Sequence, residues 1–345
     1  MKITVLTYLE KEGDEKLDGV VEQVAEALRA SGHTVSILGV HGDVRKLILG
    51  IARKKPDLIF NLMEMFGDNL CGDVAVAGLL DLLRIPHTGG GPGEYYLQQD
   101  KALAKRLLAY EGIRYPKYAV LTKQDQTLEK AAKLQMPLFV KPLRGDASLG
   151  IEVKSLVRDQ RELQRRVTSI HDKFNDSAIV EEYIEGREFY VGILGNGSPV
   201  ALPAIEMDFT ALPAGEPRFL DRKAKFASRS LRYKGTKAVL AQIPEELSAR
   251  LAAVSLQAYR AVRVRDYGRV DLRLTDGGDL YVIEVNASCY LEKESEFATA
   301  AQAAGIDFRA LVGRIVELAL ERHKAVGTPV MAGSSRDERG SSPTP

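Results

Sequence analysis

Apolar residues recur at two spacings along this chain of 345 residues, and the alternation between them outlines an architecture. Ile3–Tyr8 is a short apolar run of strand type, Leu17–Ala30 repeats apolar residues at helical spacing until Ser31-Gly32 stops it, and His33–Val40 and Asp57–Asn61 read as further strands. Strand and helix patterns in turn describe an open, mostly parallel α/β unit. The breakers His87-Thr88-Gly89-Gly90-Gly91-Pro92-Gly93 close it, so a first domain is expected over residues 1–95.

Beyond Asp100 the pattern predicts a helix over Lys101–Tyr110, a segment Tyr118–Leu121, a helix over Leu128–Leu134 and a strand ending on Lys141. A small loop, Arg144-Gly145-Asp146-Ala147-Ser148-Leu149-Gly150, follows directly, and Ile151–Val153 is expected to return as a strand, giving a hairpin with a mobile tip. Then come Ala178–Tyr183, Glu188–Leu194, a polar stretch through Pro213–Lys237, a helix Pro244–Val262, a hairpin Arg269–Asn286 and a helical region to about Val326. Residues 327–345, rich in Gly, Ser and Pro, read as a disordered tail.

Composition narrows the function classes. Apolar residues at 45% and charged residues at 28% are those of a soluble globular protein, and a net charge of +1 points to neither nucleic acid nor an anionic membrane. Cys71 and Cys289 stand far apart without ligand spacing, and the five histidines form no metal pattern. The N-terminus carries one positive charge and no cleavage site, and no segment approaches the ~20 apolar residues of a membrane span. A cytoplasmic protein is expected.

The stretch Arg269-Val270-Asp271-Leu272-Arg273-Leu274 and its return Leu280-Tyr281-Val282-Ile283-Glu284-Val285-Asn286 carries the most chemistry. A two-residue turn at Gly277-Gly278 would set Asp276 against Asp279, Asp271 against Glu284 and Arg269 against Asn286, all on one face. A turn shifted to Asp276-Gly277 keeps the face but makes the carboxylates diagonal. Opposed carboxylates repel unless a cation lies between them, and hard oxygen ligands suit Mg²⁺. A solvated face neutralised by Arg269 and Arg273 is the alternative. Elsewhere, Lys141 with the N–H groups of the Gly145–Gly150 loop, Ser148 among them, can meet phosphate oxygens, although the loop is not a Walker A sequence. Glu181 and Glu188 have the chemistry to accept from an adenine amino group and ribose hydroxyls, or are surface acids.

Taken in order, Ile85-Pro86-His87-Thr88-Gly89, Asp100-Lys101, Val140-Lys141-Pro142, Val180-Glu181-Glu182-Tyr183 with Glu188-Phe189, Lys225, Gly268-Arg269-Val270-Asp271, Glu284-Val285-Asn286 and Ala300–Gly305 resemble the D-alanine–D-alanine ligase branch of the ATP-grasp superfamily. The likeness runs from about Asn61 to Glu321. It implies an α/β (α+β) ATP-grasp fold, with a central domain over 96–184 and a C-terminal domain over 185–326 that sandwich ATP. It implies that Lys101 and Lys141 contact ATP phosphates and Lys225 the γ-phosphate. Glu181 and Glu188 would hold adenine and ribose, with Glu182, Tyr183 and Ile184 giving backbone contacts to the base. Asp271, Glu284 and Asn286 would bind two Mg²⁺ ions (or Mn²⁺), Glu284 bridging, and Arg269 would stabilise the transferred phosphate and the tetrahedral intermediate. A homodimer is the family expectation.

The substrate positions depart from that family. Thr7-Tyr8-Leu9-Glu10-Lys11-Glu12-Gly13 lacks the first-loop glutamate pattern, Ala147 stands at the serine position and Phe226 at the tyrosine position. Each lost hydrogen bond is worth about 1–3 kcal/mol, so D-alanine should bind poorly in the first subsite. Glu10, Glu12 or Glu64 are the acids available to substitute. On the acceptor side Tyr290 replaces a glycine, whereas Ser295 aligns with the serine that holds the acceptor carboxylate, or is a plain helix cap. The resemblance thus implies an ATP-dependent carboxylate–amine ligase working through an acyl-phosphate on amino-acid or peptide substrates. The alternatives are a D-alanine–D-alanine ligase with an altered first subsite and an ATP-binding regulator without catalysis.

Overall fold

The computed structural model describes residues 1–326 apart from 15, 70, 126, 146, 147 and 228, and it leaves out the side chains of Phe226 and Val326. Ala147 and the expected tail over 327–345 therefore lie outside the described residues.

In the first of three sheets β1 (Lys2–Tyr8), β2 (Thr34–Val40) and β3 (Leu58–Leu62) run parallel in the order β2-β1-β3. Alternation along β1 and β3 sends Ile3, Val5, Leu58 and Phe60 into one core with the helices Gly19–Ala30 and Phe308–Val326. Leu6 and Ile59 meet the helix Val44–Lys54 on the other face. A parallel sheet covered on both faces is the expected outcome of strand–helix–strand crossovers.

The second sheet is antiparallel, with β4 (Tyr118–Leu121), β5 (Leu138–Pro142), β6 (Leu156–Val157) and β7 (Ala178–Glu182) in the order β4-β7-β5-β6. Leu163, Val167 and Ile170 of the helix Gln160–Phe174 cover its core face. Two local expectations fail here. The partner of β5 is Leu156–Val157 rather than Ile151–Val153, which leads instead into the turn Val153–Ser155. The segment Leu128–Leu134 holds only one helical turn, Glu129–Ala131. It is too short to repay helix nucleation without a longer apolar face.

The third sheet comprises β8 (Arg187–Leu194), β9 (Val200–Ala201), β10 (Ile205–Asp208), β11 (Lys237–Leu240), β12 (Tyr267–Leu274) and β13 (Leu280–Asn286), ordered β11-β10-β8-β12-β13 with β9 on β8. The helix Glu245–Ala261 packs on its β8–β12–β13 face. Between the second and third sheets the chain passes through Tyr183–Gly186. Gly186 has φ +142°, and a Cβ there would lie 1.9 Å from the Leu274 carbonyl oxygen, so only glycine lets the linker run against β12. The first sheet is tied to β12 through buried Asp266, which accepts from Gly89 N (3.0 Å) and Arg322 Nη2 (2.8 Å). Among the described residues no helix is long and apolar enough to cross a membrane.

Candidate active site

The hairpin reaches its expected pairing by an unexpected route. The loop holds three residues, Asp276–Gly278, closed by Thr275 N to Asp279 O (3.0 Å) and Gly278 N to Thr275 O (2.9 Å), with Gly278 at φ +83°. Three-residue loops with a left-handed glycine at the end are a common hairpin closure. On its own that loop would shift every pair by one. A bulge corrects it, because Leu272 pairs with Val282 while Asp271 pairs with Glu284, leaving Ile283 as the extra residue. Leu280, Val282 and Val285 all enter the core, which requires this break in the alternation. The bulge thus returns Glu284 and Asn286 to the face of Arg269 and Asp271, a re-aiming role typical of bulges beside active sites.

Asp271 is only 8% exposed and is gripped by Arg269, Nε to Oδ1 at 2.7 Å and Nη2 to Oδ2 at 3.0 Å, with Asn286 Nδ2 at 3.2 Å from Oδ2. Burial nevertheless pushes its carboxyl up to about 6, with Glu284 adding to the shift against Arg269. Burial also works against the Glu284 charge, but Lys101, Lys141, Lys225 and Arg269 outweigh it and hold that carboxyl below its ordinary range. One carboxylate of the pair is thus under-compensated. Together with Asn286 the set offers hard oxygen donors to a cation, which fits Mg²⁺.

A buried lysine group stands beside the hairpin. Lys101 Nζ lies 3.6 Å from Glu284 Oε1 and donates to the Gly145 carbonyl, so it reaches both the metal-type carboxylate and the glycine-bearing loop. Lys141 Nζ sits 3.2 Å from Glu181 Oε2. Lys105, which the sequence did not single out, sits one helical turn after Lys101, 3.1 Å from Glu181 Oε1 and 3.4 Å from the carbonyl of the bulged Ile283. Burial pulls the Lys105 ammonium below its usual range, with Lys141 adding to the effect. For Lys141 burial is outweighed by Glu181, Glu284 and Asp271, which hold it above. The i, i+4 spacing of Lys101 and Lys105 on one helix was the available signal.

Glu181 is therefore a counter-ion to two lysines, yet its buried Oε1 has no hydrogen bond of acceptable geometry among the described residues. Of the linker N–H groups, that of Glu182 is bound by Lys117 O (2.9 Å) and that of Tyr183 by Pro137 O (3.0 Å). Neither of these two N–H groups is available to a base, whereas the backbone contacts expected over 182–184 also include carbonyl oxygens. Glu188 is held by Arg273 and by the Tyr190 hydroxyl (2.9 Å). Arg273 also donates to the Tyr183 hydroxyl and the Ile184 carbonyl, both at 2.9 Å, so it organises the linker rather than neutralising the hairpin acids. Lys225 lies on the short helix Arg222–Phe226, and its charge is felt by Asp271 and Glu284. Ser148 takes a left-handed conformation (φ 59°) in the loop above Lys101.

A cavity of about 90 Å³ is lined by the ends of β1 and β3 and by residues 288–291. Glu64 lines it, whereas Glu12 pairs with Lys46 on the surface. Tyr290 also lines it and donates its hydroxyl to Asp18 Oδ1 at 2.7 Å. Ser295 caps the helix Glu296–Ala303 through Ala298 N at 3.3 Å. Cys289 has its thiol pushed up to about 12 by burial, which removes it as a nucleophile.

Residues 107–317 match the family model for the D-ala D-ala ligase C-terminus. The chain is 30% identical to the uncharacterized protein y4sG of Sinorhizobium fredii, over 88% of each chain. It is 31% identical to the D-alanine–D-alanine ligase of Desulforudis audaxviator, over 87% of this chain and 92% of that one. The crystal structure of D-alanine–D-alanine ligase from Bacillus anthracis complexed with ATP superposes with a TM-score of 0.74 at 27% identity, covering 95% of this chain and 100% of that one. With the matched region carrying the hairpin, Lys141, Lys225 and the linker, the chain belongs to the D-alanine–D-alanine ligase family, ATP-grasp enzymes that form carbon–nitrogen bonds at the expense of ATP.

Proposed function

We propose that the chain activates a small carboxylic acid with ATP and joins it to an amine, working as three domains (1–95, 96–184, 185–326) with ATP between the second and third sheets. The observation that carries the proposal is the bulged register that opposes Asp271 to Glu284 with Arg269 and Asn286 on the same face. In this reading Lys101, Lys141 and Lys225 neutralise the phosphates and Ser148 with its loop covers them. The Ile184 N–H and Glu181 Oε1 receive the base, and Glu188 the ribose. Asp271, Glu284 and Asn286 would hold Mg²⁺, which would neutralise charge on the phosphates. The donor carboxylate attacks the γ-phosphorus and ADP departs. The amine then displaces phosphate from the acyl-phosphate while Arg269 balances the developing oxyanion. Arg269 already neutralises Asp271, so cation binding at Asp271 would release part of the guanidinium for this task. Ser295 and the N-terminus of its helix favour an acceptor carboxylate.

The test is ADP release with Mg-ATP across amino acids, dipeptides and small acids, with products identified by mass. ATP-dependent amide formation is the expected result, and no nucleotide turnover with any acid would reject it. Efficient D-alanyl-D-alanine synthesis would show that the changed subsite still takes D-alanine.

A further inference from the structure

The cavity at the carboxyl ends of β1 and β3 holds a polar group that the reaction leaves unused. Open parallel sheets bind ligands at this end of their strands. Asn61 lines the cavity and is 2% exposed. Its Oδ1 accepts the Met63 N–H at 3.2 Å, which orients the amide, since a flip would set two donors against each other. Nδ2 is left buried with no acceptor among the described residues. Native proteins rarely leave such a donor unpaired, and when they do a ligand is one explanation.

The remaining lining describes what the ligand carries. Asp18 and Glu64 contribute carboxylates, and no lysine or arginine lines the cavity among the described residues. The Tyr290–Asp18 hydrogen bond walls one side, and Asp18 Oδ1 is fixed further by Val20 N at 3.0 Å. Residues 288–291 begin two positions after Asn286, so a molecule seated here presents its far end to the hairpin. At about 90 Å³ the space is smaller than the ~150 Å³ cavity that admits benzene.

We propose that this cavity is the donor-acid subsite and that Asn61 makes it selective for a small hydroxy amino acid of serine or threonine size. The side-chain hydroxyl accepts from Asn61 Nδ2, the ammonium faces Glu64, and the reacting carboxylate points toward Arg269. The assignment rests on the ligase reading above. It makes alanine a poor donor for a reason separate from the lost anchors at positions 147 and 226, because alanine leaves the amide donor unpaired. A site built to hydrogen-bond a hydroxyl discriminates strongly against the analogue lacking it.

Serine and 2-aminobutyrate, which puts a methyl in place of the hydroxyl, separate polarity from size. With Mg-ATP and hydroxylamine to trap the acyl-phosphate as a hydroxamate, each enantiomer of both acids is tested as donor. Serine is expected to exceed 2-aminobutyrate at least about tenfold in kcat/KM, and Asn61→Val is expected to bring the two within about twofold. Asn61→Leu, which keeps the branched shape but removes every polar atom, serves if the valine variant does not fold, and should also abolish the preference. Equal use of both acids by the unmodified protein would overturn the assignment. Calorimetry with the same two compounds, Mg²⁺ and a non-hydrolysable ATP analogue separates the two readings. Serine-selective binding without hydroxamate would sink ligation but sustain the pocket, hydroxamate without serine preference would sink the pocket alone, and neither binding nor hydroxamate would sink both.

Discussion

The phosphate-facing hairpin and the cavity at the end of the first sheet are both rich in carboxylates, but they handle them differently. Around the hairpin each acid has a cation beside it: Arg269 on Asp271, Lys101 on Glu284, Lys105 and Lys141 on Glu181. Around the cavity Asp18 meets a phenol and Asn61 keeps an unpaired donor. Charges already arranged around the hairpin before a substrate arrives cost no reorganisation during reaction. A region that selects a substrate keeps polar groups whose partners arrive with it. In the proposed reading the hairpin carries the chemistry and the cavity the choice of substrate.

Removing a balancing cation should have the largest effect. Lys105→Met leaves one oxygen of buried Glu181 without its counter-ion, and breaking a buried pair typically costs about 3–5 kcal/mol. Denaturant unfolding should register a loss of that order, together with a higher KM for ATP. A change within 0.5 kcal/mol, roughly that of a neutral surface substitution, would mean the lysine group is not the balanced unit described. Next come Asp271→Asn and Glu284→Gln, each expected to lower turnover at least about 100-fold, near 2.7 kcal/mol. Near-normal ADP release in both would remove the metal assignment from the hairpin.

Acidity sharpens the same contrast. The Asp271 carboxyl, raised from 3.8 to about 6, binds its proton more tightly folded than unfolded. Between those values the metal-free protein therefore gains stability from this group as pH falls, and loses it as pH rises. A cation competes with that proton, so the Mg²⁺ concentration for half-maximal activity should climb up to about tenfold per pH unit below 6. A Mg²⁺ requirement that is flat from pH 7 to 5 would contradict it. The smallest effect belongs to the acceptor side, where Ser295→Ala should cost about 1 kcal/mol of stability through the lost cap. An accompanying rise in acceptor KM would distinguish carboxylate binding from capping alone.

Much of this molecule is legible along the chain. The period of apolar residues gives the parallel first sheet, because β1 and β3 alternate between two covered faces. The opposition of Asp271 and Glu284 is also legible, but for a reason that needs amending. The residue count assumed a two-residue turn, and the three-residue loop and the bulge at Ile283 offset one another. The irregular step from Val282 to Val285 was the trace of that bulge in the sequence. Lys105 was harder to see, since a lysine on a helix is ordinarily solvated and only burial between two sheets makes it a counter-ion.

By itself the sequence determined which elements form, which residues carry charge, and that the pieces occur in ATP-grasp order, since local periodicity and ordered motifs are properties of the chain. Only the tertiary structure decided that the Glu182 and Tyr183 N–H groups are already bound, that Arg273 serves Glu188 and the linker, and that Asn61 is left with an unmatched amide donor among the described residues. Each depends on which groups from distant segments are brought together out of water, and hydrogen-bond satisfaction exists only once the chain has packed.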